Sequence, residues 1–231
     1  MTSLIAKGMT EQLATRRARI AAGEKPLGWK VGFGAPASLQ RLGLKAPLVG
    51  YLMEGAQVAS GGAVSLKGWA KPVAEPEIAV RMARDLAANA APDAVLAAID
   101  SIRPAIELAD LDPMPEPGNL DAVLAGDIYQ RHVLLAPQAR GGGRIEGLTS
   151  RLIRRGAEAS RTSDPEALTG KLLDIVAHVA TTLAAYGETL SAGDIIITGS
   201  ITPPVMLEAD ETALAHAIDP IGEVSVRFTR E

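Results

Sequence analysis

Along the first segment, Ser3 to Ala22, apolar residues at Leu4, Ile5, Met9, Leu13 and Ile20 are separated by basic ones. That spacing predicts a helix, with Gly23 as its stop. After Glu24-Lys25-Pro26, the stretch Gly28 to Phe33 alternates: Trp29, Val31 and Phe33 are apolar, Lys30 and Gly32 are not. The alternation predicts a strand that points Lys30 away from the apolar face. Residues 34–50 read as irregular, and Gly61-Gly62 separates short apolar runs. From Val73 to Asp85 a second strand is predicted, with Ile78, Val80 and Met82 on one face and Glu75, Glu77 and Ala79 on the other.

Pro92 to Ile99 predicts a helix with Pro at its start, Ser101 to Leu108 a strand, Leu120 to Leu124 a short helix and His132 to Ala136 a buried strand. Leu148 to Ala159 resembles a hairpin turning near Gly156. The clearest helix is predicted from Pro165 to about Tyr186, capped by Asp164, striped by Leu168, Leu172, Ile175, Val176, Val179 and Leu183, and ended by Gly187. Asp194 to Thr198 and Gly222 to Thr229 complete the strands, and His216 falls in a predicted loop. Strands outnumber helices without regular alternation, which favours an α+β fold.

At 231 residues the chain suits one compact domain, or a domain with a small helical extension. Hydrophobic residues make up 47% and charged ones 22%, which excludes a disordered or fibrous chain. With 23 Lys and Arg against 27 Asp and Glu, the net charge of −4 argues against nucleic acid as a partner. Cysteine is absent, so disulfides, thiolate metal sites and thiol nucleophiles are excluded. No apolar run is long enough to span a bilayer, so no membrane association is expected. Residues 1–20 carry Lys and Arg without a continuous apolar core; no leader is expected, and a cytoplasmic location is.

Glu75 and Glu77 share a strand face, about 6.5–7 Å apart at Cα. Two carboxylates so placed repel each other unless a cation or proton intervenes, although a solvated face is the ordinary setting of an isolated E-x-E. Glu107 lies in another apolar strand, Pro104-Ala105-Ile106-Glu107-Leu108, where an unpartnered carboxylate is costly to bury. Three acids on two candidate core strands form a candidate cage for Mg²⁺ or Mn²⁺, the cations that favour oxygen ligands. Lys30 is either a lysine snorkelling to the surface or a cation beside an anion or enolate. Gly199-Ser200, between a strand and Pro203-Pro204, forms a loop whose N–H groups suit a carboxylate. No G-x-S-x-G elbow or dinucleotide fingerprint is present.

GWKVGF, EPEIAVRMARDL, PAIELAD and GDIIITGSITPPV stand in an order that resembles the 2-keto-4-pentenoate hydratases of the fumarylacetoacetate hydrolase superfamily. The resemblance covers Leu4 to Phe228. It implies a mixed β-roll over residues 27–231, behind an N-terminal helical segment over 1–26. It also implies a divalent cation, Mg²⁺ or Mn²⁺, on Glu75, Glu77 and Glu107. The substrate would be a small 2-keto acid chelated by the metal. Lys30 would pair with the substrate carboxylate or an oxyanion, and Ser200 would lie beside the keto-acid end. A homo-oligomer is the expected assembly.

Hydratases of this family often carry Pro-Asp-[FY]-Gly after the lysine strand, where this chain has Pro47-Leu48-Val49-Gly50. Leu48 thus occupies a substrate-binding position without the acid that assists proton transfer there. Asp127 and His132 are the candidates by type to replace it. The expected activity is a metal-dependent hydratase acting on a 2-hydroxy-2,4-dienoate. The alternatives are a 4-oxalocrotonate-type decarboxylase, an acylpyruvate C–C hydrolase, or a weakly catalytic binding relative or partner subunit.

Overall fold

In the computed structural model the described residues are 3–231; Met1 and Thr2, which open the predicted helical segment and residues 1–20, lie outside them. Helix α1 (Ser3–Ala21) forms as predicted, and Gly23 at φ +96° turns the chain out of it. It leads into β1 (Pro26–Gly32), α2 (Pro36–Leu42), β2 (Leu48–Met53), β3 (Gln57–Ala59) and β4 (Ala63–Ser65). Two long strands follow, β5 (Pro72–Met82) and β6 (Ile99–Asp110), joined through α3 (Pro92–Ala98). Next come α4 (Leu120–Ala125), β7 (Gln130–Leu135), β8 (Arg140–Gly141) and the hairpin β9 (Thr149–Arg154)–β10 (Ala157–Thr162). The chain ends with α5 (Leu172–Ala184), β11 (Ile195–Ile197), β12 (Val205–Met206), β13 (Ala213–Asp219) and β14 (Gly222–Thr229).

The strands form two sheets. The larger runs β2-β1-β11-β5-β6-β7-β3, with β12 on β5 and β8 on β6; the smaller runs β10-β9-β13-β14-β4. Both parallel and antiparallel pairs occur in each, so the sheets are mixed as expected. The outer face of the large sheet is covered twice. Trp29, Val31, Ile78, Val80 and Met82 pack with Val176, Val179 and Leu183 of α5 and with Met9 and Leu13 of α1. Ile106, Leu108 and Leu134 pack against Leu152, Leu214, Val224 and Val226 of the small sheet. The inner face carries a separate small cluster, Leu52, Ala79, Ala105, Val133, Ile195 and Ile197.

Several expectations are corrected. The helix predicted from Pro165 begins only at Leu172, because Gly170 sits at φ +86° and breaks the turn before it. Asp164, the anticipated cap, instead accepts the Glu166 N–H in a turn through Oδ1, and it is Glu166 Oε1 that accepts the Leu172 N–H where the helix begins. His216 is not in a loop: it is fully buried in β13, its Nδ1 2.9 Å from Ala105 O and its Nε2 3.0 Å from Ser150 Oγ. Residues 34–50 hold α2 and the start of β2, whose LVGYLM is buried throughout and therefore lacks the alternation that marks a half-exposed strand. The hairpin turns where predicted, at Arg155-Gly156, both with positive φ.

Candidate active site

Antiparallel pairing of β5 with β6 sets Glu75 opposite Glu107 and Glu77 opposite Ala105, so all three carboxylates rise from the inner face. One carboxylate oxygen of each lies within 4.8 Å of those of the other two. Glu77 and Glu107 are fully buried; Glu75 is partly open to a cavity of about 370 Å³. Burial, with help from the Glu107 charge, pushes the Glu75 carboxyl up to about 7. Glu77 is raised well above the carboxylate range by burial and by both neighbouring acids, and burial raises Glu107 as well.

Glu77 Oε1 and Glu107 Oε2 have no hydrogen-bond partner. Carboxylates crowded in a dry place, with orphaned oxygens facing one another, call for protons or a cation. The donor set is oxygen alone, which fits Mg²⁺ or Mn²⁺ and not a zinc site built from nitrogen and sulfur.

Lys30 leaves β1 on the face opposite Trp29 and Val31, as the alternation predicts, yet that face is enclosed and Lys30 is only 2% exposed. Its ammonium pairs with Glu107 and donates to Ile128 O at 3.2 Å. Burial works against its charge, but Glu107, Glu75 and Asp127 outweigh it and hold the lysine above its ordinary value. The snorkelling alternative is therefore overturned.

Asp127 reaches the same place by an uncommon backbone route. Asp127, Ile128 and Tyr129 have φ of 55°, 51° and 64°, three consecutive non-glycine residues in the left-handed region. Aspartate tolerates this, whereas β-branched isoleucine does so at a cost of order 1–3 kcal/mol that surrounding packing must offset. The twist turns the Ile128 carbonyl to Lys30 and lets Asp127 Oδ1 accept the Tyr51 N–H at 2.8 Å. Asp127 is buried, and desolvation pushes its carboxyl up to about 8 against the pull of Lys30. Gly50, opposite Lys30 on β2, makes room: a Cβ there would stand 2.8 Å from Asp127 Oδ1 and 2.9 Å from Lys30 Cγ.

The loop between β11 and β12 closes the other side. Both strands pair with β5, at Ala79–Arg81 and at Val73–Ala74, and the loop bulges away between these stretches beside Glu75 and Glu77. Gly199, at φ +95°, donates its N–H to Glu77 Oε2 at 2.6 Å. Ser200 lines the cavity with its Oγ buried and unpartnered, a hydroxyl available to a ligand.

Two candidates are not brought to this cluster. His132 pairs with Leu108 on β6 and so lies on the face opposite Glu107, stacked on Trp69 with ring centroids 6.0 Å apart. Leu48 is buried and lines a second cavity of about 440 Å³ with His178 and Leu124, and not the cavity that holds Lys30 and Glu75. Conversely, the Ile128 carbonyl and the cavity-lining Arg41 were not anticipated. A backbone carbonyl leaves no side-chain signal, and Arg41 sits on α2, in the stretch read as irregular.

The sequence profile of the fumarylacetoacetate (FAA) hydrolase C-terminal family matches residues 31–229. Among known proteins, the chain is 28% identical to 2-hydroxyhexa-2,4-dienoate hydratase of Comamonas testosteroni, over 92% of this chain and 82% of that one. It is 28% identical to 4-oxalocrotonate decarboxylase of Pseudomonas putida, over 96% and 85%. The solved 4-oxalocrotonate decarboxylase of Pseudomonas putida G7, complexed with magnesium and adipate, superposes with a TM-score of 0.87 at 26% identity, over 99% of this chain and 87% of that one.

Proposed function

This chain belongs to the fumarylacetoacetate hydrolase family, and from that premise we propose that it is a divalent-metal-dependent lyase that hydrates an unsaturated 2-keto acid of the 2-hydroxy-2,4-dienoate type. The observation that carries the reading is the convergence of Glu75, Glu77 and Glu107 beside Lys30 at the base of one cavity. Relatives named as a hydratase and as a decarboxylase, one of them solved with magnesium and a small carboxylate ligand, support the same chemistry.

Glu75, Glu77 and Glu107 would hold the cation. When bound, Mg²⁺ or Mn²⁺ supplies Lewis-acid stabilisation of negative charge on the oxygens of a 2-keto acid. Lys30 orients the substrate carboxylate or balances a developing oxyanion. The free Ser200 hydroxyl donates to the keto-acid end. Ketonisation of the dienoate brings a proton to C5; hydration then adds hydroxyl at C4 and a proton at C3. Asp127, pushed up to about 8 by burial, keeps its proton near neutrality and is electrostatically coupled to Lys30, which suits a proton store for these transfers. The apolar wall formed by Val31, Phe33 and Ile128 excludes bulk water from the chain of the substrate.

Decarboxylation is the second reading. It is favoured by one observation: among the described residues, Glu75 is the only acid that lines the cavity, and Leu48 faces a different one. The deciding experiment follows a 2-hydroxy-2,4-dienoate and a 4-oxalocrotonate-type substrate with Mg²⁺ or Mn²⁺ and identifies the products. Metal-dependent formation of a 4-hydroxy-2-keto acid is expected. Release of CO₂ without hydration would establish the second reading instead, and equal turnover by chelator-treated protein would overturn both.

A further inference from the structure

The second cavity, of about 440 Å³, falls in the size range of small-molecule sites, ~300–1,000 Å³, and the 2-keto-acid reading makes no use of it. Its walls come from α1, α4, α5 and the segment 43–49 that joins α2 to β2. Burial gives it a direction. Met9, Leu44, Leu48, Val49 and Leu124 are buried and form an apolar floor, whereas Gly43 and Lys45 are exposed at the mouth. Pro47 lines both this cavity and the catalytic one, so the two share a wall, but neither Lys30 nor any of the three glutamates lines this one.

The polar groups here are few and of one sign. Among the described residues, Lys45 is the only lysine or arginine that lines the cavity, no carboxylate lines it, and no carboxylate pairs with the Lys45 ammonium. His178 and Thr182, four residues apart on one face of α5, complete the polar lining, and both are half-buried. His178 Nε2 lies 2.9 Å from Pro47 O. A carbonyl only accepts, so Nε2 carries a proton, and Nδ1 is left to take up another beside an anion. An apolar floor under a cation and two hydrogen-bonding side chains suits a ligand with an apolar body and one anionic head.

We propose that this cavity is a second ligand site, which takes a small monocarboxylate with an apolar body. The body covers the floor at Met9, Leu48 and Leu124, and the carboxylate meets Lys45 at the mouth, with Thr182 and His178 as hydrogen-bond partners. A cation would be repelled by Lys45, a compact inorganic anion would leave the floor unused, and a second carboxylate would be buried against apolar groups at a cost. The site needs no metal, since no carboxylate lines it to hold one. The inference is therefore independent of the keto-acid reading and stands or falls without it.

The test is calorimetric titration of Mg²⁺-loaded and of chelator-treated protein with hexanoate, hexanamide and acetate, which separate body from head. Hexanoate should bind equally with and without the metal. It should bind at least about twentyfold more tightly than acetate, since each buried methylene is worth up to about fourfold, and about threefold more tightly than hexanamide, the range of an exposed charge pair. In Lys45→Gln the preference over hexanamide should vanish while the affinity for hexanamide stays unchanged, which also shows that the variant is folded. Thr182→Phe, which fills the cavity, should abolish hexanoate binding, and Lys30→Met should leave it unchanged. Hexanoate that binds no more tightly than acetate, binding that requires Mg²⁺ or is lost in Lys30→Met, or a preference over hexanamide that survives Lys45→Gln would each overturn the site. Should Thr182→Phe fail to fold, the Lys45→Gln comparison decides.

Discussion

Lys30 and Glu107 touch although β11 and β5 lie between their strands. In a flat sheet three strand spacings amount to about 14 Å, farther than these two side chains reach together. The sheet must curl around its inner face for the contact to form. The ion pair is thus both a part of the site and a gauge of the curvature that makes it.

Replacing Lys30 by Met should lower kcat/KM by at least about tenfold, or ~1.4 kcal/mol of transition-state stabilisation. It also leaves Glu107 buried without its cation, a loss of order 3–5 kcal/mol if the carboxylate stays charged. Denaturant melts of chelator-treated protein should therefore show the variant losing more stability at higher pH than at lower pH, because burial already raises the Glu107 carboxyl and a proton can replace the missing cation as the pH falls. A variant with wild-type kinetics would refute the assignment.

The raised carboxyls predict how metal and pH trade off. Glu75 titrates at about 7 in the folded protein, against 4.5 for the ordinary group, so the folded state binds more protons than the unfolded one between those values. Metal-free protein should lose stability as pH rises from about 4.5 to 7, and the Asp127 carboxyl, at about 8, extends the decline. Mg²⁺ competes with those protons, so its affinity should increase across the same interval. Thermal melts with chelator or Mg²⁺ at several pH values read both effects, and a metal-free Tm that is flat from pH 5 to 8 would contradict them.

Gly50→Ala tests the fit between Asp127 and Lys30. The added methyl collides with both side chains, neither of which is a loose surface group. Overpacking of this kind costs about 1–3 kcal/mol, and the shift of Lys30 should reduce kcat more than it weakens Mg²⁺ binding. Metal titration beside steady-state kinetics separates the two.

For Leu48→Asp the expected result is loss of stability, not a gain in hydration. Leu48 is 3% exposed and lines the cavity shared with His178 and Leu124, so the new carboxyl would be buried among apolar groups. A decrease of roughly 2–4 kcal/mol in unfolding free energy, with no rise in hydratase turnover, is the anticipated outcome. A faster hydratase would reverse the placement of this residue.

Period-two alternation sufficed to set Glu75 and Glu77 on one face and Ile78, Val80 and Met82 on the other, because one side of β5 packs against helices and the other does not. It also placed Lys30 opposite Trp29. Curvature was invisible: nothing local to residues 26–32 states that their second face is enclosed by strands far along the chain. His132 was a reasonable candidate by chemistry, yet its parity with Leu108 sends it to the other side of the sheet. β2 escaped detection because burial of both faces erases alternation, and the turn at Asp127 to Tyr129 because its residue types do not announce a left-handed path.

The position of β11 has a consequence for assembly in time. Residues 195–197 form the plank between β1 and β5, pairing in parallel with Gly28 to Lys30 and antiparallel with Ala79 to Arg81. Trp29 Nε1–H reaches Asp194 Oδ2 at 3.0 Å across a sequence separation of 165 residues. A ribosome delivers Lys30 and all three glutamates long before that plank. Until it emerges, the lysine strand and the acid strands have no shared edge, and closing so long a loop is slow. Lys30 thus waits for a late strand before it can join the glutamates, and a nascent chain halted before residue 195 can pair β5 with β6 yet leaves the three acids without their lysine.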